Sequence, residues 1–436
     1  MITVSADRLI FSFPERDARL DARVAAFIEA GAAAMLKEDR GAALDAVLAR
    51  HPWAGQTAAW QQQARAQVAR ADDAKWAAAY EALLWSRAGG RTAQRPQHGV
   101  TISFMRTLRL PDDGKAYPLP PGLGCFPLRR IEDLGAATPP SWQRRGGVAL
   151  PMYQGEAMWL AFSAPFAAAL KIAAGGVNAA TGEPFEVGLK RDPQDYVVLP
   201  QQPWLDGFCV EKGVVRQFVA MPLGQGYSAE EQITGEARTG GVQLAVVPLK
   251  DEVRWRELQG RLRCTLEDLV PTFLPPLAPD RLGPRAAHAP MPPPMAAAPA
   301  GAAGGAMGLG AGGRMKQSIF HDPRPLDDYD LEGAEACFLH VLNSAMWRAI
   351  AHEAPPQPPV TAEEYSRHGL PWFDYYRDDL QAIRGSGILA KLKSVFAVAA
   401  EKEAPVFQDE GPMPALEVVH LGPSAPPNSV RGWRGV

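Results

Sequence analysis

Cysteine is scarce in this sequence, and its charges nearly cancel. The four cysteines among 436 residues form no CxxC pair. They are too few to cross-link a chain of this length, which favours reduced thiols and a cytoplasmic location. The 45 basic and 48 acidic residues give a formal net charge of −3. Nucleic acid binding needs a basic surface that such a balance does not provide, so we expect no nucleic acid partner.

Long apolar runs are missing as well. A membrane-spanning helix needs about 18–20 consecutive apolar residues. The best window, Met158 to Val177, is interrupted by Lys171, Pro165 and two glycines. The uncharged tract 286–313 consists mainly of Ala, Pro, Gly and Met, which insert into lipid less favourably than Leu, Ile or Val. We therefore expect no integral membrane span.

Motifs with a known reaction are also missing. The sequence contains no GxxxxGK[ST], GxSxG or HExxH, and its eight histidines show no zinc-site spacing. The string Gly308-x-Gly310-x-x-Gly313 matches a dinucleotide-binding fingerprint, but a Pro/Ala tract stands where that motif needs a strand. A glycine-rich linker is the favoured interpretation. We expect no metal and no cofactor, and no catalytic residue is identified.

What the sequence does contain is a series of contrasting patterns. Its 47% hydrophobic and 21% charged residues are ordinary for a globular protein. Leu20, Val24 and Ile28 follow the period of an amphipathic helix, and the same period between Leu331 and His352 predicts a later helix. In chain order we predict an N-terminal helical unit, a β-rich central domain, a Pro/Ala/Gly-rich linker, a C-terminal helical segment and a loose tail: residues 1–95, 96–270, 271–313, 314–400 and 401–436.

The densest β patterning lies between Gly146 and Pro248. Short apolar runs bounded by turn residues predict strands around 147–152, 157–163, 169–178, 195–199, 207–210, 214–221 and 241–247. Glu211-Lys212-Gly213 is suited to a hairpin loop. Many short strands with few helices between them indicate an antiparallel β-sandwich or a curled sheet within an α+β protein.

Aromatic and polar residues concentrate beside the glycines of this stretch. Aromatic rings stack on ligands and forked donors fix their orientation, so such a set can bind sugars or peptide termini. The alternative is a buried aromatic core in which Arg216 and Gln217 satisfy strand edges or loops, and this alternative is favoured. The set comprises Tyr153, Gln154, Trp159, Trp204, Arg216 and Gln217.

Three acidic residues lie next to turn glycines in the same stretch: Glu156, Asp206 and Glu236. Two carboxylates within about 5–10 Å would support glycosidase-type acid and base chemistry. The alternative is that each carboxylate binds the backbone of its own turn. The two interpretations differ in whether the carboxylates converge on one pocket.

Two further groups are candidate partner surfaces. Trp372-Phe373-Asp374-Tyr375-Tyr376 is an aromatic cluster whose favoured task is docking the C-terminal segment onto the β-rich domain. Exposed clusters of this kind also form interfaces, so Trp372 and Asp374 are candidates for partner contact. Arg314 and Lys316, which follow the linker, are the other candidates for partner contact.

Several long stretches of the sequence resemble a group of uncharacterised microbial proteins, some of them labelled "integral membrane protein". They are YPLPPGLGCFPL (117–128), GGVALPMYQGEAMW (146–159), VLPQQPWLDG (198–207), RQFVAMPLGQGY (216–227), TGEARTGGVQL (234–244), MGLGAGGRMKQ (307–317) and GLPWFDYY (369–376). The resemblance covers roughly residues 100–400 and implies no activity, fold or catalytic residue. It does imply that 307–317 is a functional segment, which could dock onto the β-rich domain.

Taken together, these patterns predict a cytoplasmic binding or assembly module built on the β-rich domain. One alternative is a hydrolase that acts on a glycan or peptide through carboxylates. Another is a protein that associates with membranes through the tract 286–313. The ligand or protein partner and the oligomeric state stay open.

Overall fold

The computed structural model describes residues 1–5, 7–88, 98–276, 306–357, 361–375, 377, 379–404 and 418–421. The fold is α+β, as expected, with two mixed sheets. Among the described residues, the chain forms two compact units. We call them the sheet unit, which consists of the described residues of 1–12, 100–249 and 306–421, and the helical unit, which consists of the described residues of 13–99 and 250–276.

The helices are α1 (Pro14–Met35), α2 (Arg40–Leu48), α3 (Ala58–Arg70), α4 (Asp73–Arg87), α5 (Ile131–Leu134), α6 (Pro140–Arg145), α7 (Ala229–Thr234), α8 (Asp251–Arg261), α9 (Leu266–Leu269), α10 (Ser344–Ala351), α11 (Ala362–Arg367) and α12 (Val395–Glu401). The strands are β1 (Ile2–Ser5), β2 (Arg8–Phe11), β3 (Val100–Thr107), β4 (Ala116–Tyr117), β5 (Gly122–Cys125), β6 (Arg129–Arg130), β7 (Val148–Met152), β8 (Ala157–Ser163), β9 (Ala168–Ala174), β10 (Val177–Asn178), β11 (Val197–Leu199), β12 (Trp204–Leu205), β13 (Gly207–Glu211), β14 (Val214–Pro222), β15 (Val242–Pro248), β16 (Met307–Lys316), β17 (Glu335–Asn343), β18 (Trp372–Tyr375) and β19 (Val418–Leu421).

The helical unit buries one face of α1, where Leu20, Val24 and Ile28 repeat at helical spacing. Side-chain oxygens of Asp39, Thr57 and Asp72 cap α2, α3 and α4 by accepting backbone N–H bonds. The unit differs from the prediction at both ends. Residues 2–11 form a hairpin of the sheet unit, and 250–276 belong with the helices rather than with the strands.

A buried ion pair explains why the later segment joins the helical unit. Arg254 of α8 donates to Asp17 of α1 at 2.8 Å, and both side chains are almost fully buried. Arg16 donates to Asp251 over the same distance. Such contacts over long sequence separations leave no periodic pattern in the sequence, so the boundary could not be predicted from it.

The larger sheet has ten strands, in the order β1-β2-β3-β8-β14-β16-β4, with β5, β12 and β13 paired to β3, β8 and β14. The second sheet has seven, in the order β10-β9-β15-β17-β7-β6, with β11 paired to β9. Most neighbouring strands pair antiparallel, but β16 with β4 and β17 with β7 are parallel. The sheets are therefore mixed rather than purely antiparallel, and the sandwich arrangement stays a prediction. Strands β18 and β19 form a separate two-stranded parallel sheet.

The predicted linker is wrong at its C-terminal end, because β16 covers Met307–Lys316 and pairs with β14 along its length. Residues 277–305 of that linker lie outside the described residues. The glycines of β16 allow close packing. A Cβ on Gly310 would lie 2.6 Å from Val395 Cγ1 and 2.7 Å from the Tyr227 carbonyl oxygen. The glycine string is thus a packed strand of the larger sheet.

The helix predicted between Leu331 and His352 is wrong in its first half. β17 covers Glu335–Asn343, and only Ser344–Ala351 is helical, capped by the Asn343 side chain. A short apolar run fits the period of a helix as well as that of a strand. Here the segment is a strand because β15 pairs with one of its edges and β7 with the other. The segment 314–400 is consequently mixed rather than helical. In the predicted tail, 405–417 and 422–436 lie outside the described residues.

Candidate functional site

Two tryptophans of the candidate set lie side by side on the larger sheet. Trp204 of β12 pairs with Ala161 of β8, diagonally from Trp159. Alternation along both strands places the two indoles on one face. Their ring centroids are 6.5 Å apart at 73°, an edge-to-face arrangement, and both residues are half-buried. We call this pair the tryptophan face.

Asp206 lies two residues after Trp204, next to the tryptophan face. It follows β12 at the point where the chain leaves β8, and its carbonyl oxygen accepts the Phe218 N–H of β14 at 3.0 Å. Gln317 ties this junction to β16: its Oε1 accepts the Asp206 backbone N–H at 3.0 Å, and its Nε2 donates to the Trp204 carbonyl oxygen at 3.3 Å. The Asp206 side chain is held where three strands meet.

The Asp206 carboxyl is a buried acid. Only 1% of the residue is exposed. Burial raises its pKa to about 8, although hydrogen bonds from the Trp204 and Gln317 side chains oppose the shift. The group is therefore a neutral acid at pH 7, able both to donate and to accept a hydrogen bond.

Met105 and Gly122 form the rim of the tryptophan face. Met105 of β3 is directly opposite Trp159 in register. A side chain at Gly122 of β5 would begin 3.1 Å from Met105 Cε and 3.4 Å from Trp159 Cζ2. A side chain at Gly122 would therefore press against Met105 and this edge of the Trp159 ring.

The turn between β7 and β8 holds Tyr153, Gln154 and Glu156 of the candidate set. Glu156 is 3% exposed and accepts two hydrogen bonds from the Arg106 guanidinium, at 2.6 and 2.8 Å. Its other oxygen accepts the Tyr153 backbone N–H at 2.9 Å. Burial raises the pKa of Glu156, while Arg106 opposes that shift. Tyr153 is half-buried and Gln154 is exposed. The Glu156 carboxylate thus fixes the turn.

The structure does not bring the three predicted carboxylates together through shared partners. Glu156 is paired with Arg106, and Asp206 is enclosed near Trp204. Glu236 follows α7, is substantially exposed and pairs with Arg238 at 3.0 Å. Each carboxyl group has its own surroundings, so a glycosidase-type pair has no geometric support here.

Arg216 and Gln217 stabilise the sheet, in agreement with the favoured alternative. Arg216 donates to the Asp112 carboxylate at 3.1 Å and to the Gly312 carbonyl oxygen at 3.0 Å. Gln217 is fully buried, where it accepts the Leu110 N–H and donates to the Leu108 carbonyl oxygen. Both donors that were expected to orient a ligand are engaged by the protein itself.

The candidate partner surface is divided. Trp372 is fully buried and donates from Nε1 to Ser366 Oγ at 3.0 Å, so its prediction as a contact residue is wrong: it packs in a core cluster with Tyr117. Arg314 is partly exposed and pairs with Glu211 at 2.8 Å. Lys316 is exposed at the end of β16, and Asp374 is half-buried in β18.

Sequence reasoning missed Met105, Gln317 and Gly122. Met105 and Gly122 have no distinguishing pattern, and Gln317 lay just past a segment interpreted as linker. The one available signal was the stretch 307–317 within the resemblance, which ends at Gln317. Only the pairing of β16 with β14 brings that residue beside Asp206.

Comparison of the chain with protein-family models, with curated proteins and with solved structures finds no match. The resemblance to a microbial group therefore stays a prediction. No helix in the described part of the chain has the length and apolar content to cross a membrane. The same residues contain no group of three or more His, Cys, Asp or Glu side chains placed to hold a metal ion.

Proposed function

We propose that this protein is a binding module whose ligand contacts the tryptophan face of the larger sheet. The observation that carries the proposal is the pair of half-buried indoles, Trp159 and Trp204, set edge to face on the larger sheet. Large aromatic side chains that stay partly exposed on a rigid sheet supply contact area at little entropic cost. The surrounding strands hold them in place.

The hydrolase alternative has less support, because Glu156, Asp206 and Glu236 are held in separate surroundings. Membrane association through 286–313 receives no support from the described residues, because most of that tract lies outside them. A cytoplasmic location stays part of the proposal. It is supported by the four cysteines, all of which are free thiols.

An affinity purification tests the proposed surface. The wild type, a W159A/W204A double variant and a W53A variant are used as baits, and the co-purifying proteins and small molecules are identified by mass spectrometry. Trp53 is a matched control because it is a half-buried tryptophan of the helical unit. We expect the double variant to lose a component that the wild type and W53A retain. Identical components with all three baits would refute the proposal.

A further inference from the structure

We propose that Cys125 and Met105 bind a soft univalent metal ion of the Cu(I) type on the larger sheet. Such a site is independent of the ligand proposed for the tryptophan face. Three features of the structure carry it: two sulfur atoms in contact on neighbouring strands, a carboxylate that shares the thiol proton with the thioether, and a solvent-exposed strand that gives access to the thiol.

The two sulfur atoms meet through the pairing of β5 with β3. Cys125 is directly opposite Met105 in register, and its thiol donates to Met105 Sδ at 3.3 Å. A metal–thiolate bond is about 2.3 Å long in zinc sites, so an ion beside the pair contacts both sulfurs. The flexible methionine side chain allows the angle between the two bonds to open. The residues are 20 positions apart, which explains why no metal site was expected from sequence spacing.

The Cys125 thiol has one proton and two acceptors. The first acceptor is Met105 Sδ, and the second is the carboxylate of Asp7 in the turn between β1 and β2. Burial, together with this carboxylate, raises the pKa of the thiol to about 11, and Arg8 opposes the shift. Arg8 lies 3.7 Å from the Asp7 carboxylate, which balances its charge. Two sulfurs and an anionic oxygen thus converge on a single proton, and a bound cation would replace it, releasing the proton to solvent.

The types of donor select a soft ion. Thiolate and thioether ligands favour Cu(I), whereas carboxylates, carbonyls and water suit Mg²⁺ and Ca²⁺. Structural zinc sites draw four ligands from Cys, His and carboxylate side chains, and no three of these are grouped for a metal ion in the described part of the chain. The pair of sulfurs therefore suits an ion of low coordination number with a high affinity for sulfur.

The strand that carries the thiol is open to solvent. Gly122 and Gly124 of β5 are both exposed, and Cys125 and Met105 are half-buried. A side chain at Gly124 would meet open space, so nothing covers the strand beside the thiol at this position. An ion reaches the sulfurs without unfolding of the sheet, while the strand pairing holds them in place.

The experiment is a competition between the full chain and bicinchoninate for Cu(I) under anaerobic, reducing conditions, followed by the absorbance of the Cu(I)–chelator complex. We expect the wild type to withdraw Cu(I) from the chelator. C125S should weaken the tightest binding at least about a hundredfold, because it removes the thiolate ligand. M105L should weaken it at least about tenfold, since leucine keeps the volume of methionine but has no sulfur.

C337S and M346L are the matched controls. Cys337 is also a half-buried free thiol, and Met346 is a half-buried methionine of α10. Both variants should bind Cu(I) like the wild type. Circular dichroism verifies that each variant is folded.

X-ray absorption at the copper edge separates ligation by Met105 from a merely structural role. In protein labelled with selenomethionine, Cu(I) should have a selenium neighbour in the wild type and in M346L, and none in M105L. The wild-type spectrum alone is decisive even where a variant fails to fold.

Three results would overturn the metal site. The wild type fails to compete with the chelator, or C125S binds Cu(I) as tightly as the wild type, or the copper spectrum of the labelled wild type shows no selenium neighbour. None of them bears on the tryptophan face, because the affinity purification compares baits that all retain Cys125 and Met105.

Discussion

At the scale of single residues, Asp206 shows how a buried acid couples the fold to pH. Its pKa is raised to about 8 by burial, against about 3.9 in an unfolded chain. Between these two values the folded chain keeps a proton that the unfolded chain has released. The free energy of unfolding therefore falls as pH rises from about 4 to about 8, and the loss is complete above that interval.

We predict that D206N is more stable than the wild type at pH 7.5, by roughly 2–4 kcal/mol, because asparagine stays neutral without a proton. At about pH 3 the advantage should almost vanish, since the unfolded wild-type chain is then also mostly protonated. Urea unfolding followed by circular dichroism at both pH values measures the difference. An advantage that is independent of pH would contradict the raised pKa.

Glu230 is a second residue whose carboxylate supports the backbone. It is 3% exposed and accepts the N–H groups of Arg238, Thr239 and Gly240 at 3.0, 2.7 and 2.8 Å. Successive N–H groups that converge on one anion form a strong set of charge-assisted bonds. The carboxylate thereby fixes the loop between α7 and β15.

We predict that E230Q lowers the free energy of unfolding by about 1–3 kcal/mol, because the amide lacks the charge and turns an N–H group toward other donors. E236Q is the matched control: the same change is made six residues later, at an exposed side chain whose pair with Arg238 contributes little. It should change stability by less than about 0.5 kcal/mol. Equal effects in urea unfolding would show that the three N–H bonds are unimportant.

At the scale of elements, six of the seven strands predicted between Gly146 and Pro248 agree with the structure within two residues. The seventh, 169–178, is instead a hairpin of β9 and β10. Those strands are bounded by local turn signals, such as the hairpin loop between Glu211 and Val214. β16 and β17 were missed for a different reason. A glycine-rich run has little intrinsic strand preference, and a short apolar run fits two periods. Pairing with distant strands decides both cases.

The same reasoning applies to the site. Trp159, Trp204 and Asp206 could be selected from the sequence as aromatic and acidic residues near turns. Their grouping could not, because it depends on β12 pairing with β8 and on Gln317 arriving with β16. Likewise, nothing local distinguishes Arg216, which is occupied by Asp112, from an arginine that is open to a ligand.

The packing of β16 leads to a prediction about its glycines. G310A should destabilise the protein by more than about 2 kcal/mol, because the new methyl group would overlap Val395 and the Tyr227 carbonyl oxygen. G260A serves as the control, since a side chain at this position of α8 meets open space and alanine favours a helix. Urea unfolding should show G260A at or slightly above wild-type stability. A tolerant G310A would mean that β16 is loosely held.

At the scale of the whole molecule, both sheets depend on strands from the two ends of the chain. β16 lies between β14 and β4, and β17 lies between β15 and β7. A fragment of residues 1–276 lacks β16 and β17, so each sheet loses an interior strand. The open strand edges that remain favour aggregation. This topology opposes the sequence-based picture of an independent β-rich domain at 96–270.

We predict that residues 1–276 expressed alone are insoluble, and that co-expression with residues 306–436 gives a soluble complex of the two fragments. The reason is that β16 and β17 supply the missing backbone partners of β14, β15 and β7. Co-purification through a tag on one fragment measures the association. As a control, G310A in the second fragment should reduce the yield, because it weakens the insertion of β16. A soluble, folded fragment 1–276 on its own would show that the sheets do not need the later strands.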